Sequence, residues 1–251
     1  MIKKHIPNAI TCCNMICGCI GITLVLFCSD LFWGLMFMLM ACVFDFLDGF
    51  VARGLKVSSP IGKELDSLAD VVSFGVLPAM MLVRLTLMDG IFSFPEYGDG
   101  GHDGAYEGLV LTPLILLPTA FLIPAFSALR LAKFNLDDRQ TSSFLGLPTP
   151  ANALLWGGMI AIYKTTLLQS PYIFFLLAAV PLTCWLLVSE VPMFSLKFHD
   201  LKWANNWHRY IFIAGIIALA ALLRTDALAW VIVWYLVWNA VYQIVAKNKA
   251  Q

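Results

Sequence analysis

Asp45-Phe-Leu-Asp48-Gly49-Phe-Val-Ala52-Arg53, followed after eight residues by Gly62-Lys-Glu-Leu-Asp66-Ser-Leu-Ala-Asp70, decides how this chain is read. Four carboxylates stand among apolar neighbours: Val43, Phe44, Phe46, Leu47, Leu65, Leu68, Val71 and Val72. A charged side chain inside a bilayer costs at least ~2.5–3.5 kcal/mol, and four of one sign also repel each other. A solvated helix face would carry such acids among polar residues. These acids are instead set into long apolar segments, so they have a job there.

The rest of the chain is as apolar as those flanks. Of 251 residues, 60% are hydrophobic and 13% charged, with mean hydropathy +0.81. A soluble domain is about 45–50% apolar and about 25% charged. This composition excludes a typical soluble enzyme, a secreted disulfide scaffold and a disordered chain, and implies a polytopic membrane protein. Sixteen Lys and Arg balance sixteen Asp and Glu. That leaves no basic footprint for nucleic acid, which is not expected as a partner. Cys12, Cys13, Cys17, Cys19, Cys28, Cys42 and Cys184 show no metal-site spacing and read as small buried hydrophobes. The basic-then-apolar N-terminus has no small-residue cleavage site and reads as the first membrane helix.

A spanning helix needs about 20 mostly apolar residues. Eight segments are expected, at about 10–28, 31–53, 64–88, 109–134, 149–168, 171–190, 209–223 and 227–246, the seventh being short. Cytoplasmic ends collect Lys and Arg. With the N-terminus inside, 13 of the 16 basic residues fall on the cytoplasmic side; only Arg84, Lys164 and Arg224 do not. Loop 89–108 carries five acids and no Lys or Arg, and lacks the D-x-D-x-D-G pattern of a calcium loop. Eight spans with both termini and all four aspartates on the cytoplasmic side fit this pattern. The histidines, His5, His102, His199 and His208, read as interfacial.

Helical spacing sharpens the site. Asp45 and Asp48 are three apart and share a face, on which Gly49 and Ala52 follow; Asp66 and Asp70 are four apart on the next helix. Two helices joined by a short loop can aim all four carboxylates at one point. A hard cation would hold them together, and the expectation is two Mg2+ or Mn2+ completing their shells with substrate phosphate oxygens. Gly49 and Ala52 let a bulky group approach the backbone, and Arg53 can fork onto a phosphate. The chemistry is that of a metal-dependent site for a diphosphate-containing substrate at the cytoplasmic membrane surface.

The pattern D-x2-D-G-x2-A-R-x8-G-x3-D-x3-D resembles the signature of the CDP-alcohol phosphatidyltransferase family at every fixed position from Asp45 to Asp70. The resemblance implies an all-α integral membrane fold with a six-helix core that binds a CDP-linked lipid, moves its phosphatidyl group onto an alcohol and releases CMP. It implies that Asp45, Asp48 and Asp66 hold one metal and Asp45, Asp66 and Asp70 the second, with Asp70 as general base. Gly49, Ala52, Arg53 and Ser59 would serve the CDP-lipid. Pro7-Asn8-Ala-Ile-Thr11 also resembles the family's entry into its first helix, where Asn8 and Thr11 would bind the CDP part. Residues 1–198 would form the core, and 199–251 a two-span extension. Family members are often homodimers.

Three further stretches resemble the serine-accepting members: Ala128-Leu-Arg130-Leu-Ala-Lys133-Phe-Asn135, Phe144-Leu-Gly146-Leu-Pro148-Thr-Pro150-Ala-Asn152, and Leu187-Val-Ser189 with Ser195-Leu-Lys197-Phe198. Asn152 departs from this likeness, standing where a small residue is expected. The expected reaction joins CDP-diacylglycerol and L-serine into phosphatidylserine and CMP in the cell's inner or plasma membrane. Arg130, Lys133 and Asn135 would bind the serine. Another acceptor, glycerol 3-phosphate or inositol phosphate, stays open, as do positive-inside anchoring for the basic residues and an ether-linked lipid. An intramembrane prenyltransferase would not need G-x2-A-R. A cation transporter would carry its acids near mid-membrane.

Overall fold

The computed structural model describes residues 5–28, 30–57, 59–88, 106–136, 144–167, 172–193 and 203–250. Helix α1 is His5–Phe27 and α2 is Leu31–Leu55. The next rod comprises α3 (Pro60–Asp70), a π-helical turn (Val71–Val76) and α4 (Leu77–Met88). Then come α5 (Tyr106–Leu136), α6 (Thr149–Leu167), α7 (Tyr172–Val188) and α8 (Trp203–Leu223). A 3-10 turn, Arg224–Asp226, leads into α9 (Ala227–Ala250). The eight expected segments thus correspond to α1, α2, the α3–α4 rod, and α5 to α9.

Among the described residues, six helices are long and apolar enough to cross a membrane: His5–Phe27, Leu31–Leu55, Pro60–Thr86, Leu117–Leu136, Asn206–Leu223 and Ala227–Ile244. The protein is an all-α integral membrane protein. Two expected spans are not among the six. The apolar run Phe175–Val188 of α7 is short for a bilayer core. α6 carries Thr149 and Asn152 and bends at Tyr163 (φ −103°, ψ 22°). Two boundaries also move. α1 begins at His5 rather than residue 10, because Pro7 falls in the first turn, where no N–H is needed. α8 begins at Trp203, so the seventh segment is not short. Residues 89–105 of the acidic loop, His102, Lys197 and His199 lie outside the described residues.

Local chemistry sets the turn that matters most. α2 starts at Asp30, whose side chain accepts from Phe32 N, and ends at Lys56 in the left-handed region, whose N–H returns to Ala52 and Arg53 carbonyls. Ser59 then caps α3 by accepting from Gly62 N at 2.9 Å, with Pro60 opening the helix. This short link sets Asp45 and Asp48 beside Asp66 and Asp70. The π turn ends two residues before Pro78, whose ring would crowd the carbonyl of Phe74 four residues back in a regular helix, and the widened turn eases that crowding.

The core lies among α1, α2, the rod, α5, α6 and α7, around Phe74, Leu77, Met81, Ile123, Trp156 and Ile160. Buried positions of α1, Pro7, Thr11, Asn14, Gly18, Gly21 and Val25, recur every three or four residues and form the stripe packed on α2 and the rod. A two-residue ladder, β1 (Phe144–Leu145) against β2 (Pro192–Met193), was not legible in the sequence. Beside it Gly146 sits at φ +73°, and a Cβ there would lie 2.6 Å from Leu187 O. Leu147 N donates to Leu186 O at 3.0 Å, so the start of α6 is pinned to the end of α7. The α8–α9 hairpin docks through α9 on α6.

The cysteine reading needs correction. Only Cys17 and Cys184 are buried, while Cys12, Cys19 and Cys28 are exposed. A thiol is apolar enough to face lipid, so apolar flanks did not imply burial. His208 is buried and stacks on Tyr242 at 4.5 Å.

Candidate active site

Asp45 and Asp48 near the end of α2 and Asp66 on α3 each offer a carboxylate oxygen, all within 4.8 Å of one another. Asp48 is buried and the other two are half-buried. Three negative charges this close repel strongly in a low-dielectric setting. Asp66 Oδ1 is buried without a hydrogen-bond partner. An all-oxygen donor set with an unused buried lone pair fits a hard divalent cation.

Asp70 lies one turn further along α3 and is 7% exposed. It does not join that three-carboxylate group; Asn14 Nδ2 donates to its Oδ1 at 3.2 Å. Thr11 Oγ1 lies 2.5 Å from Asp48 Oδ2 and 3.1 Å from Pro7 O. The hydroxyl has a single proton, and the carboxylate is the stronger acceptor, so Thr11 donates to Asp48. α1 therefore steadies one carboxylate on each of the two helices facing it.

Beside the carboxylates opens a cavity of about 210 Å³ lined by Pro7, Asn8, Thr11, Asp48, Gly49, Ala52, Val57, Ser59, Gly62, Lys63 and Asp66. Asn8, Thr11, Asp48, Gly49, Ala52 and Ser59, expected at the CDP-lipid, meet on this one wall. Arg53 is exposed, with its guanidinium folded toward Gly49. Lys63 adds a cation to the wall, and its Nζ donates to Asn135 O at 2.8 Å.

The expected serine residues divide. Arg130 and Lys133 line a second, small cavity with Phe134, Leu187, Ser189 and Glu190. Arg130 is buried, and its Nη1 donates to Thr149 Oγ1 at 3.2 Å. Lys133 Nζ donates to Val188 O at 3.2 Å. Asn135 turns away to α3, where its Nδ2 donates to Ser67 Oγ at 2.9 Å. The structure thus separates Asn135 from the other two. Sequence reading missed Asn14. The available signal was its spacing: Pro7, Thr11 and Asn14 fall on one face of an otherwise apolar helix, and buried polar residues at membrane depth mark function.

A sequence model of the family described as CDP-alcohol phosphatidyltransferase matches residues 4–190. The chain is 33% identical over 147 residues to the CDP-diacylglycerol–serine O-phosphatidyltransferase of Bacillus subtilis (strain 168), covering 59% of this chain and 70% of that protein. It is 32% identical over 204 residues to the protein of the same name from Mycobacterium leprae (strain TN), covering 77% and 59% respectively. With that from Methanocaldococcus jannaschii it shares 32% over 165 residues, covering 66% and 65%. The matches span between 59% and 70% of these three relatives' own lengths.

Proposed function

This chain belongs to the CDP-alcohol phosphatidyltransferase family, and on that premise we propose that it transfers the phosphatidyl group of CDP-diacylglycerol to the hydroxyl of L-serine, giving phosphatidylserine and CMP. The observation that carries the reading is the crowded Asp45, Asp48 and Asp66 group opening onto a cavity already lined by Asn8, Gly49, Ala52 and Ser59. A diphosphate brings the negative oxygens that a cation held there would still need. Serine as acceptor is supported by the printed names of the relatives.

Asp45, Asp48 and Asp66 would hold one Mg2+ or Mn2+, and Asp70 would join Asp45 and Asp66 at a second. Bound cations supply charge neutralisation on the diphosphate and on departing CMP. The chain's residues do the rest. Gly49 and Ala52 keep the wall low enough for the nucleotide, and Lys63 and Arg53 stand near its phosphates. Asn14 fixes Asp70 through Oδ1, leaving Oδ2 to take the proton of the serine hydroxyl. The serine oxygen bonds to the lipid-bearing phosphorus as the bond to CMP breaks. A carboxylate shared with a cation is a weak base, so the proton moves late.

In this reading residues 1–198 form the transferase core and 199–251 an added α8–α9 hairpin, with the site and both ends on the cytoplasmic side of the cell's inner or plasma membrane. The test is CMP release by purified protein with CDP-diacylglycerol, Mn2+ or Mg2+, and L-serine, glycerol 3-phosphate or inositol phosphate in parallel. Serine is expected to stimulate release above the other two. A larger stimulation by either phosphate would assign a different acceptor.

A further inference from the structure

At the end of α2 remote from the carboxylates lies a cavity of about 710 Å³, walled by α2, α6, α8 and the start of α9. Its size falls among the ~300–1,000 Å³ of sites that enclose a small molecule. The lining is graded. Arg224 and Asp226, in the turn between α8 and α9, stand at one end with Phe32 at the start of α2. The other described lining residues are all apolar. They run down to Leu39, seven residues after Phe32 on α2, and to Ile216, eight before Arg224 on α8. At 1.5 Å per residue that is about 10–12 Å of apolar wall below a charged mouth.

The mouth is built from three elements. Tyr163, at the bend of α6, donates to Asp226 Oδ2 at 3.4 Å, and Trp230 Nε1 on α9 donates to the Tyr163 hydroxyl at 3.0 Å. Tyrosine and tryptophan collect at the headgroup level of a bilayer, which sets the depth of this end. Arg224 is exposed and holds φ +51°, a backbone region that costs a non-glycine residue energy. It is also one of the three basic residues that fall on the side away from the aspartates, so the positive-inside rule does not account for it.

We propose that this cavity holds one glycerophospholipid of the leaflet opposite the carboxylates, with a zwitterionic, amine-bearing headgroup. Arg224 meets its phosphate and Asp226 its ammonium, and an acyl chain lies along Leu39, Ile216 and Val231. A guanidinium matches phosphate geometry. A carboxylate beside it repels a headgroup whose charge is all negative, so the pair selects an amine-bearing lipid over an anionic one. The site is separate from the one that takes the CDP-lipid. Phe32 precedes Asp45 by 13 residues, about 20 Å along α2, so the charged mouth lies at the wrong end for a diphosphate held by the aspartates. A lipid seated here touches α2, α6 and the α8–α9 hairpin together, and so fastens the hairpin to the rest of the bundle.

The test is native mass spectrometry and thermal unfolding of the full-length protein, delipidated in detergent and titrated with dioleoylphosphatidylethanolamine or dioleoylphosphatidylglycerol. Wild type is expected to retain one phosphatidylethanolamine, to melt higher as that lipid is added, and to bind the glycerol lipid at least about tenfold more weakly. Arg224→Gln and Asp226→Asn should each weaken phosphatidylethanolamine about 10- to 150-fold, the range for a lost hydrogen bond to a charged group. Val231→Trp, which fills the cavity and leaves both charges in place, should abolish retention. CMP release by Arg224→Gln should match wild type, and excess CDP-diacylglycerol should leave the retained lipid in place. Equal binding of the two lipids by wild type would overturn the proposal without recourse to any variant. So would undiminished retention by folded Arg224→Gln. One-for-one displacement by CDP-diacylglycerol would give the cavity to the tails of the substrate instead.

Discussion

Asn14 on α1 donates from Nδ2 to Asp70 Oδ1 at 3.2 Å, reaching the last acid of the signature from a helix that carries none of it. Both residues are buried. The bond fixes which oxygen of Asp70 is engaged and which the proposed mechanism would leave for the acceptor proton. Asn14→Leu is expected to lower kcat about 10- to 150-fold, the range for a lost hydrogen bond to a charge. The KM for CDP-diacylglycerol should change little, since Asn14 does not line its cavity. Asn14→Asp should be worse than Asn14→Leu, because it sets a fifth acid against Asp70. Steady-state kinetics of the three proteins decide this, and equal kcat for Asn14→Leu and wild type would remove Asn14 from the mechanism.

Asp66 stands within 4.8 Å of both Asp45 and Asp48 in oxygen-to-oxygen terms, and one of its oxygens has no partner. Asp66→Ala should cut CMP release by more than ~100-fold, beyond the ~10- to 100-fold typical of an outer-shell partner. Without divalent ions the same variant should melt higher than wild type, since one of three mutually repelling charges is gone. Added Mn2+ should raise the melting temperature of wild type and not of the variant. Retention of a tenth of the activity by folded protein would sink the assignment.

The orientation can be checked at two exposed positions at opposite ends of α2. Cys28 lies at the α1–α2 turn, and Lys56 lies in the α2–α3 turn beside the carboxylates. In a background lacking the other native cysteines, Cys28 should react with an impermeant maleimide added outside intact cells. Lys56→Cys with Cys28 replaced should react only after permeabilisation. The reverse pattern would place the site on the other side of the membrane.

The aspartates were legible because their spacing is rigid: three and four residues along a helix set two side chains on one face whatever the tertiary context. Gly49 and Ala52 of the cavity wall were legible for the same reason, whereas Asn8, Thr11 and Ser59 followed only from the family resemblance. Asn135 was not, and helix geometry explains it. Five residues past Arg130 is roughly 140° around a helix of 3.6 residues per turn, so Asn135 faces Ser67 on α3 while Arg130 faces Thr149 on α6. Chain proximity had grouped residues that the helix separates. Asn14 and the β1–β2 ladder depend on partners far along the chain, 56 residues away for Asn14. No local pattern names such a partner.

Gly146 gives a test of the fold beneath the site. Its φ of +73° suits glycine, and a Cβ would meet Leu187 O at 2.6 Å, Ser189 O at 2.9 Å and Leu186 O at 3.0 Å. Gly146→Ala should destabilise by about 1–3 kcal/mol from backbone strain, with the overlap adding to it. Because Leu147 N holds the start of α6 to α7, the loss should also loosen Thr149 and raise the serine KM. A melting curve and serine kinetics check both parts. Unchanged stability would mean that the turn relaxes freely.

Arg130 is where the proposed serine pocket would meet the carboxylates of α2 and α3. Its Nη1 is held by Thr149, its guanidinium lies 5.9 Å from the Phe134 ring centroid, and its Nε has no partner. A guanidinium fixed at one corner, with another N–H unused, is set up to meet a carboxylate. Arg130→Ala should therefore raise the serine KM, or lower kcat/KM for serine, about 10- to 150-fold. The KM for CDP-diacylglycerol should move far less. Arg130→Lys keeps the charge but loses the planar donor array, so it should recover only part of the activity. Varying each substrate separately distinguishes the outcomes. If Arg130→Ala weakens CDP-diacylglycerol alone, the arginine belongs to the phosphate site. If serine kinetics are unchanged while the protein remains folded, Arg130 serves as an anchor at the C-terminal end of α5.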